Sequence, residues 1–207
     1  MPIYKSLNPS HQTQVKIWHI TESYEELLHP LDLKEVSKKR LLDMKSEIHQ
    51  RGFLSVRHLL REFGYTDRDL YYDDYGKPHL KDGKYISITH SFSFSGIVLS
   101  DHPTGIDIEK QRTKIAIIAP KFIDYEWAYL NKGHNELVRK LTVIWAAKES
   151  LYKLFATPGM VFKKHFLVIP FMLEDKSTAA WIDYHGIKQK HEIEFMEFDG
   201  FTCAYTL

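Results

Sequence analysis

The sequence predicts an α+β chain built as two similar α+β subdomains, residues 1–104 and 105–207. Three observations carry that expectation. The order strand, helices, strands occurs twice. The strand-type segments are short and alternate in polarity, as antiparallel strands with one buried face do. The 207 residues are 43% hydrophobic and 14% aromatic, enough apolar material to bury a core in a chain long enough for one large or two small domains. No residue-level repeat relates the halves, and no Pro-, Gly- or Ser-rich linker interrupts residues 100–105, so the subdomains are expected to be tightly joined.

Val15 to Ile20 reads as a first strand. Leu31 to Phe63 then reads as one long, charged helical segment ended by Gly64, with Phe53, Val56, Leu59, Leu60 and Phe63 on a buried stripe and Arg51, Arg57 and Arg61 off it. The turn-rich Asp73-Asp74-Tyr75-Gly76-Lys77-Pro78 precedes strand-like Tyr85 to His90 and Gly96 to Leu99. After the turn at Asp101 to Thr104, Gly105 to Glu109 is again strand-like, so the middle of the chain is expected to form antiparallel hairpins. From Glu136 to Phe155 the positions Leu137, Leu141, Ile144, Leu151 and Phe155 share one helix face, and Pro158-Gly159 supplies the stop. The remainder offers strands at Phe166 to Ile169, Ala180 to Ile182, Glu192 to Phe198 and Phe201 to Tyr205.

Composition excludes several classes. Lys and Arg total 28 against 27 Asp and Glu, which lacks the basic excess of a non-specific nucleic-acid binder; only Lys34 to Arg57 is locally basic. Met1 to Leu7 has no charged start followed by an apolar run, and nothing approaches the roughly 18 apolar residues of a membrane span, so a cytoplasmic chain without membrane or nucleic-acid partners is expected. The single Cys203 reads as a small core filler rather than a catalytic thiol. The twelve histidines include no His-Glu-x-x-His, and there is no second cysteine, which argues against zinc chemistry.

Chemistry concentrates in three places. In Gly105-Ile106-Asp107-Ile108-Glu109 the period of two sets both carboxylates on one face with Cα atoms roughly 6.5 Å apart. That pair suits a hard cation such as Mg²⁺, which is held by one or two carboxylates plus substrate phosphates; on the pentapeptide alone, a solvated acidic face is equally admissible. In Trp145-Ala146-Ala147-Lys148-Glu149-Ser150-Leu151-Tyr152-Lys153, Glu149 and Lys153 stand one turn apart, which as an exposed pair would be worth only a few tenths of a kcal/mol. Lys148 falls on the apolar stripe, where an ammonium must either snorkel to water or meet an acid. Gly76-Lys77-Pro78 and Ser87-Ile88-Thr89-His90-Ser91 add a rigid turn, a cation, hydroxyls and an imidazole suited to phosphate oxygens.

The ordered set Gly-Lys-Pro, Thr-His-Ser, Gly-Ile-Asp-Ile-Glu and Trp-x-x-Lys-Glu-Ser-x-x-Lys resembles the 4'-phosphopantetheinyl transferase superfamily, and within it the two-subdomain branch of surfactin-synthetase-activating transferases. Phe122-Ile123-Asp124-Tyr125-Glu126 is similar to that family's Phe-x-x-x-Glu segment, and Arg51-Gly52-Phe53-Leu54-Ser55-Val56-Arg57 to its arginine-bearing helix. The likeness runs from about Lys39 to Phe166. Thr89 stands where relatives commonly have Ser, which keeps the hydroxyl. Lys38, Lys39, Arg40 and Lys45 find no individual counterparts and read mostly as a solvated helix face.

The resemblance implies two α+β halves related by a pseudo-twofold, with coenzyme A in the cleft between them. It implies Asp107, Glu109 and Glu149 as ligands of Mg²⁺ (Mn²⁺ being an alternative), and Lys153, Lys77, Thr89, His90 and Arg51 as coenzyme A contacts. It further implies transfer of phosphopantetheine to a serine of an apo acyl or peptidyl carrier protein by a monomer, with Lys153 supporting the leaving oxygen and Glu149 taking the serine proton. The competing expectation is a Mg²⁺-dependent phosphoesterase acting on a coenzyme A-like nucleotide with water as nucleophile.

Overall fold

The computed structural model describes residues 3–131, 133 and 136–207. Met1 and Pro2, the start of the segment read above for a leader, lie outside them. The chain is a mixed α+β protein with antiparallel sheets, divided into two units, Met1–Pro103 and Thr104–Leu207. Among the described residues no helix is long and apolar enough to cross a membrane.

In the first unit, β1 (Ile3–Ser10) and β2 (Thr13–His19) form a hairpin. A one-turn helix α1 (Tyr24–Leu28) starts at a capping box in which Ser23 accepts from the Glu26 N–H and Glu26 accepts from the Ser23 N–H. The expected single helix over Leu31 to Phe63 is instead two, α2 (Glu35–Asp43) and α3 (Glu47–Glu62). Met44 and Ser46 adopt extended backbone between them, and Gln50 Nε2 donates to the Leu41 and Met44 carbonyls at the break, the first of which also accepts from the Met44 N–H. Phe53, Leu54, Val56, Leu59 and Leu60 of α3 are buried in the unit's core, each contributing about 1.5–3 kcal/mol by leaving water.

Arg57 departs from the expectation that it faces away. It is 3% exposed, donates to Asp67 Oδ1 at 3.0 Å and lies over the Phe53 ring at 3.4 Å; Asp67 also accepts from Ser37 Oγ and the Lys34 N–H. Arg40, read as solvated, lays its guanidinium over Tyr72 at 4.9 Å. A small hairpin, β3 (Leu70–Tyr72) with β4 (Pro78–Leu80), leads to β5 (Tyr85–Ser91) and β6 (Phe94–Ser100), and the sheet order is β1-β2-β6-β5.

In the second unit, β7 (Ile106–Lys110) does not extend the β5–β6 hairpin as the local pattern suggested. It pairs with β11 (Phe201–Thr206), nearly the whole unit away in sequence. After α4 (Lys114–Ile118), the long α5 (Leu137–Phe155) stops at Ala156, which takes a left-handed φ of 48°, a few residues before Pro158-Gly159. The one-turn α6 (Phe162–His165), β8 (Phe166–Val168), β9 (Ser177–Tyr184) and β10 (Ile187–Phe198) complete the sheet order β7-β11-β10-β9-β8. The last three strands are joined by two-residue turns, His185-Gly186 and Asp199-Gly200, in which both residues have positive φ, the backbone that matches strand twist. Leu141, Ile144 and Leu151 of α5 pack on Ile193, Phe195 and Ala204 of the sheet.

Candidate active site

The register of β7 decides what its acids can do. Asp107 lies opposite Ala204 and Glu109 opposite Thr202. Ala204 belongs to the core under α5, and directly opposed residues share a sheet face, so both carboxylates turn toward α5 while Ile106 and Ile108 turn away. The acidic face is therefore not a solvated one: Asp107 is 5% exposed and Glu109 is half-buried.

Gly105 brings the strand to the helix. A Cβ there would stand 1.8 Å from the Ser150 carbonyl oxygen, so β7 enters against the α5 backbone at the turn that carries Glu149 and Lys153. Lys153 Nζ donates to Asp107 Oδ1 at 2.7 Å and to the Ile106 carbonyl at 3.0 Å. Its ion-pair partner is thus Asp107 across the fold, rather than Glu149 one turn away. Trp145 Nε1 donates to Glu109 Oε1 at 3.1 Å.

These groups perturb one another. Burial first, then the Asp107 charge, pushes the Glu149 carboxyl from its ordinary 4.5 up to about 7, with Lys153 opposing and Glu109 adding. Burial and Asp107 also raise Glu109, against the Trp145 donor, Lys153 and Arg112. Among the described residues no three His, Cys, Asp or Glu side chains stand as a ready-made metal cluster. The donor chemistry nonetheless fits a hard divalent cation: the three carboxylates offer only oxygen donors, the Asp107 charge raises the proton affinity of both Glu109 and Glu149, and a cation would reverse that repulsion.

Residues 103–206 match the family model of the 4'-phosphopantetheinyl transferase superfamily. The chain belongs to this superfamily. It is 28% identical over 137 residues, 64% of this chain and 55% of the relative, to the 4'-phosphopantetheinyl transferase gsp of Aneurinibacillus migulanus. It is 34% identical over 134 residues, 63% of this chain and 54% of the relative, to enterobactin synthase component D of Salmonella typhi. The chain spans about half the length of the curated relatives it matches. The superfamily match takes in Asp107, Glu109, Glu149 and Lys153 and leaves Arg51, Lys77, Thr89 and His90 outside it.

Those four residues lie in the first unit. Arg51 is half-buried, donates to the Ile20 carbonyl at 3.2 Å, and has its Nε buried without a hydrogen-bond partner among the described residues. Next to it, Gly52 lets the His90 ring lie against α3, since a Cβ would come within 3.0 Å of that ring; His49 stands 6.2 Å from His90, ring to ring. Thr89 and His90 are neighbours on β5, so their side chains take opposite faces, Thr89 buried and His90 exposed. Lys77 sits in the turn before β4, where burial lowers its pKa and the Asp73 charge opposes that.

Sequence reasoning missed the supports of the site. Lys148 does meet an acid: its Nζ lies 2.6 Å from Glu126 Oε1, with side chains 0% and 1% exposed, and it also donates to the Phe122 carbonyl at 2.7 Å. Burial pushes the ammonium pKa down and Glu126 holds it up. The signal for such a partner was the placement of Lys148 on the apolar stripe, but nothing local named Glu126. The role of Trp145 as donor to Glu109 had no signal at all, because it depends on the distant β7–α5 contact.

Proposed function

We propose that the chain is a holo-carrier-protein synthase of the two-subdomain surfactin-synthetase-activating branch. It would transfer 4'-phosphopantetheine from coenzyme A to a serine of an apo acyl or peptidyl carrier protein, with adenosine 3',5'-bisphosphate leaving. The observation that carries this reading is the gathering of Asp107, Glu109, Glu149 and Lys153 at the junction of β7 and α5, inside the segment that matches the superfamily. The family's arrangement of two similar halves belongs to the same reading, supported by an antiparallel sheet and a long helix in each unit. So does a cytoplasmic monomer.

In the reaction the serine Oγ forms a bond to the β-phosphorus as the bond to the bridging oxygen breaks. Negative charge moves onto the nucleotide phosphate, and the serine proton must be taken up. Asp107, Glu109 and Glu149 would hold Mg²⁺ or Mn²⁺, which when bound neutralises pyrophosphate oxygens. Lys153, already fixed by Asp107 and the Ile106 carbonyl, offers its remaining N–H to the leaving phosphate oxygen, a preorganised donor where charge develops. Glu149, beside Asp107 and Lys153, would receive the serine proton directly or through water. Arg51, Lys77, Thr89 and His90 would serve the nucleotide end of coenzyme A, the first, second and fourth as cationic or imidazole donors to phosphate.

The test is incubation with coenzyme A, Mg²⁺ and a panel of apo-carrier proteins, read by intact mass. Gain of one phosphopantetheine on a carrier serine is the expected result, lost in Asp107→Ala and Glu149→Gln variants that keep their circular dichroism. Full activity in either variant would overturn the site. Release of adenosine 3',5'-bisphosphate with no carrier present would turn the reading to a phosphoesterase.

A further inference from the structure

We infer that Trp145 is a positioning residue whose indole N–H fixes the carboxylate of Glu109 so that its other oxygen is presented to a divalent cation. The inference rests on the reading of Asp107, Glu109 and Glu149 as the ligand set. The indole is itself immobilised: its ring meets Phe122 edge-on at 4.9 Å between centroids and lies 5.3 Å from Phe162, so the N–H has one direction to point. Along that direction stands Glu109 Oε1 at 3.1 Å. Glu109 needs such a partner. It is half-buried and repelled by Asp107, and Lys153, whose charge favours its ionised form, donates to Asp107 Oδ1 instead.

A plainer account would have Glu109 serve the tryptophan, since a half-buried indole N–H seeks any acceptor. Placement favours the reverse. Trp145 and Glu149 are four residues apart on α5, so the helix that supplies one carboxylate also steers another from β7. Trp145 and Glu109 both line a cavity of about 200 Å³ together with Lys110, Arg112 and Lys114, a basic surround that suits the phosphates a divalent cation would bring with it. A hydrogen bond to one oxygen holds the carboxylate's orientation and leaves the other oxygen for a cation, and outer partners of this kind typically change metal affinity 10–100-fold.

The test compares wild type, Trp145→Phe and Glu109→Gln. Phenylalanine keeps an aromatic ring beside Phe122 and Phe162 and removes the donor together with part of the ring. Free Mn²⁺ counted by electron paramagnetic resonance should show binding to the wild type weakened 10–100-fold in Trp145→Phe. In ¹⁵N-labelled protein, the indole N–H signal that disappears in Trp145→Phe should shift when Mg²⁺ is added to the wild type and stay still in Glu109→Gln. The Glu109→Gln arm leaves the indole in place, so it decides the matter even if Trp145→Phe does not fold. Unchanged Mn²⁺ affinity in a folded Trp145→Phe, an indole signal indifferent to Mg²⁺, or a wild type that binds no Mn²⁺ would each overturn the inference. None of these readouts involves phosphopantetheine transfer, so failure of the transferase reading alone would leave them standing.

Discussion

The Lys148–Glu126 pair allows a stability prediction with a worked magnitude. Both side chains are essentially inaccessible, 0% and 1% exposed, and their charges lie 2.6 Å apart. The carboxylate also accepts from the Val168 N–H at 3.0 Å and the Asp124 N–H at 3.2 Å. Lys148→Met would leave Glu126 buried with those two backbone donors and no counter-charge, a change that costs about 3–5 kcal/mol, a large part of the roughly 5–15 kcal/mol that holds a domain together. Glu126→Gln should cost less. Burial already lowers the Lys148 pKa, so the amine can shed its proton and still donate to the Phe122 carbonyl. In the double variant neither charge must be desolvated, and the amide oxygen introduced by Glu126→Gln can still accept from the Val168 N–H. Its cost should therefore fall at least about 2 kcal/mol short of the sum of the singles. Urea unfolding at pH 7 gives the free energies, and hydrogen exchange of the α5 amides assigns the loss to this unit. A Lys148→Met variant within about 1 kcal/mol of wild type, or strict additivity in the double variant, would show that the unpaired Glu126 carries no such burial cost, whose lower end is about 3 kcal/mol.

Metal-free Glu149→Gln should be more stable than wild type at high pH. The folded carboxyl binds its proton up to about 7 against an ordinary 4.5, so wild-type stability is full below 4.5 and declines as pH rises through that window; at roughly 1.4 kcal/mol per unit the gain is at most about 3 kcal/mol at pH 8 and nil at pH 4. Thermal melts in EDTA across pH check it, and a pH-independent difference would contradict it. Gly105→Ala must push β7 off the Ser150 carbonyl, which its Cβ would meet at 1.8 Å; a loss of about 1–3 kcal/mol in urea unfolding together with impaired transfer is expected, whereas wild-type behaviour in both would show that the contact relaxes freely. His90→Ala should raise the KM for coenzyme A with kcat largely kept, and a lost kcat at unchanged KM in steady-state assays would remove His90 from the nucleotide end.

Local pattern was readable where a single segment decided its own state. Leu141, Ile144 and Leu151 repeat at helical spacing and are buried along α5, and the alternation of Asp107 with Ile106 and Ile108 does divide β7 into two faces. It failed where two segments compete or cooperate. The helix pattern runs unbroken through Met44-Lys45-Ser46, with no Gly or Pro to mark the break between α2 and α3. A carbonyl cap from Gln50 makes that break tolerable, and such a cap exists only once the chain has turned. The edge strand β8 shows the same dependence: its Val168 N–H and carbonyl, which would template another strand, are met by Glu126 and by the Tyr129 hydroxyl, residues no strand pattern points to.

For the site, the same division explains why the acids were visible and their environment was not. A period of two predicts that Asp107 and Glu109 share a face, but not which face, and the two outcomes have opposite chemistry. Facing water, a pair of carboxylates roughly 6.5 Å apart would be solvated and screened. Facing α5, they are desolvated beside Glu149, which is why that carboxyl is pushed to about 7. The choice is made by pairing Asp107 with Ala204 and Glu109 with Thr202, a contact across almost a hundred residues that no local rule encodes. Once it forms, Gly105 seats the strand on Ser150, Lys153 turns from Glu149 to Asp107, and Trp145 reaches Glu109. The site's electrostatics are therefore a product of the second unit's sheet, and a variant that loosens the β7–β11 pairing should disperse the shifted carboxyl of Glu149 even with every acid still in place.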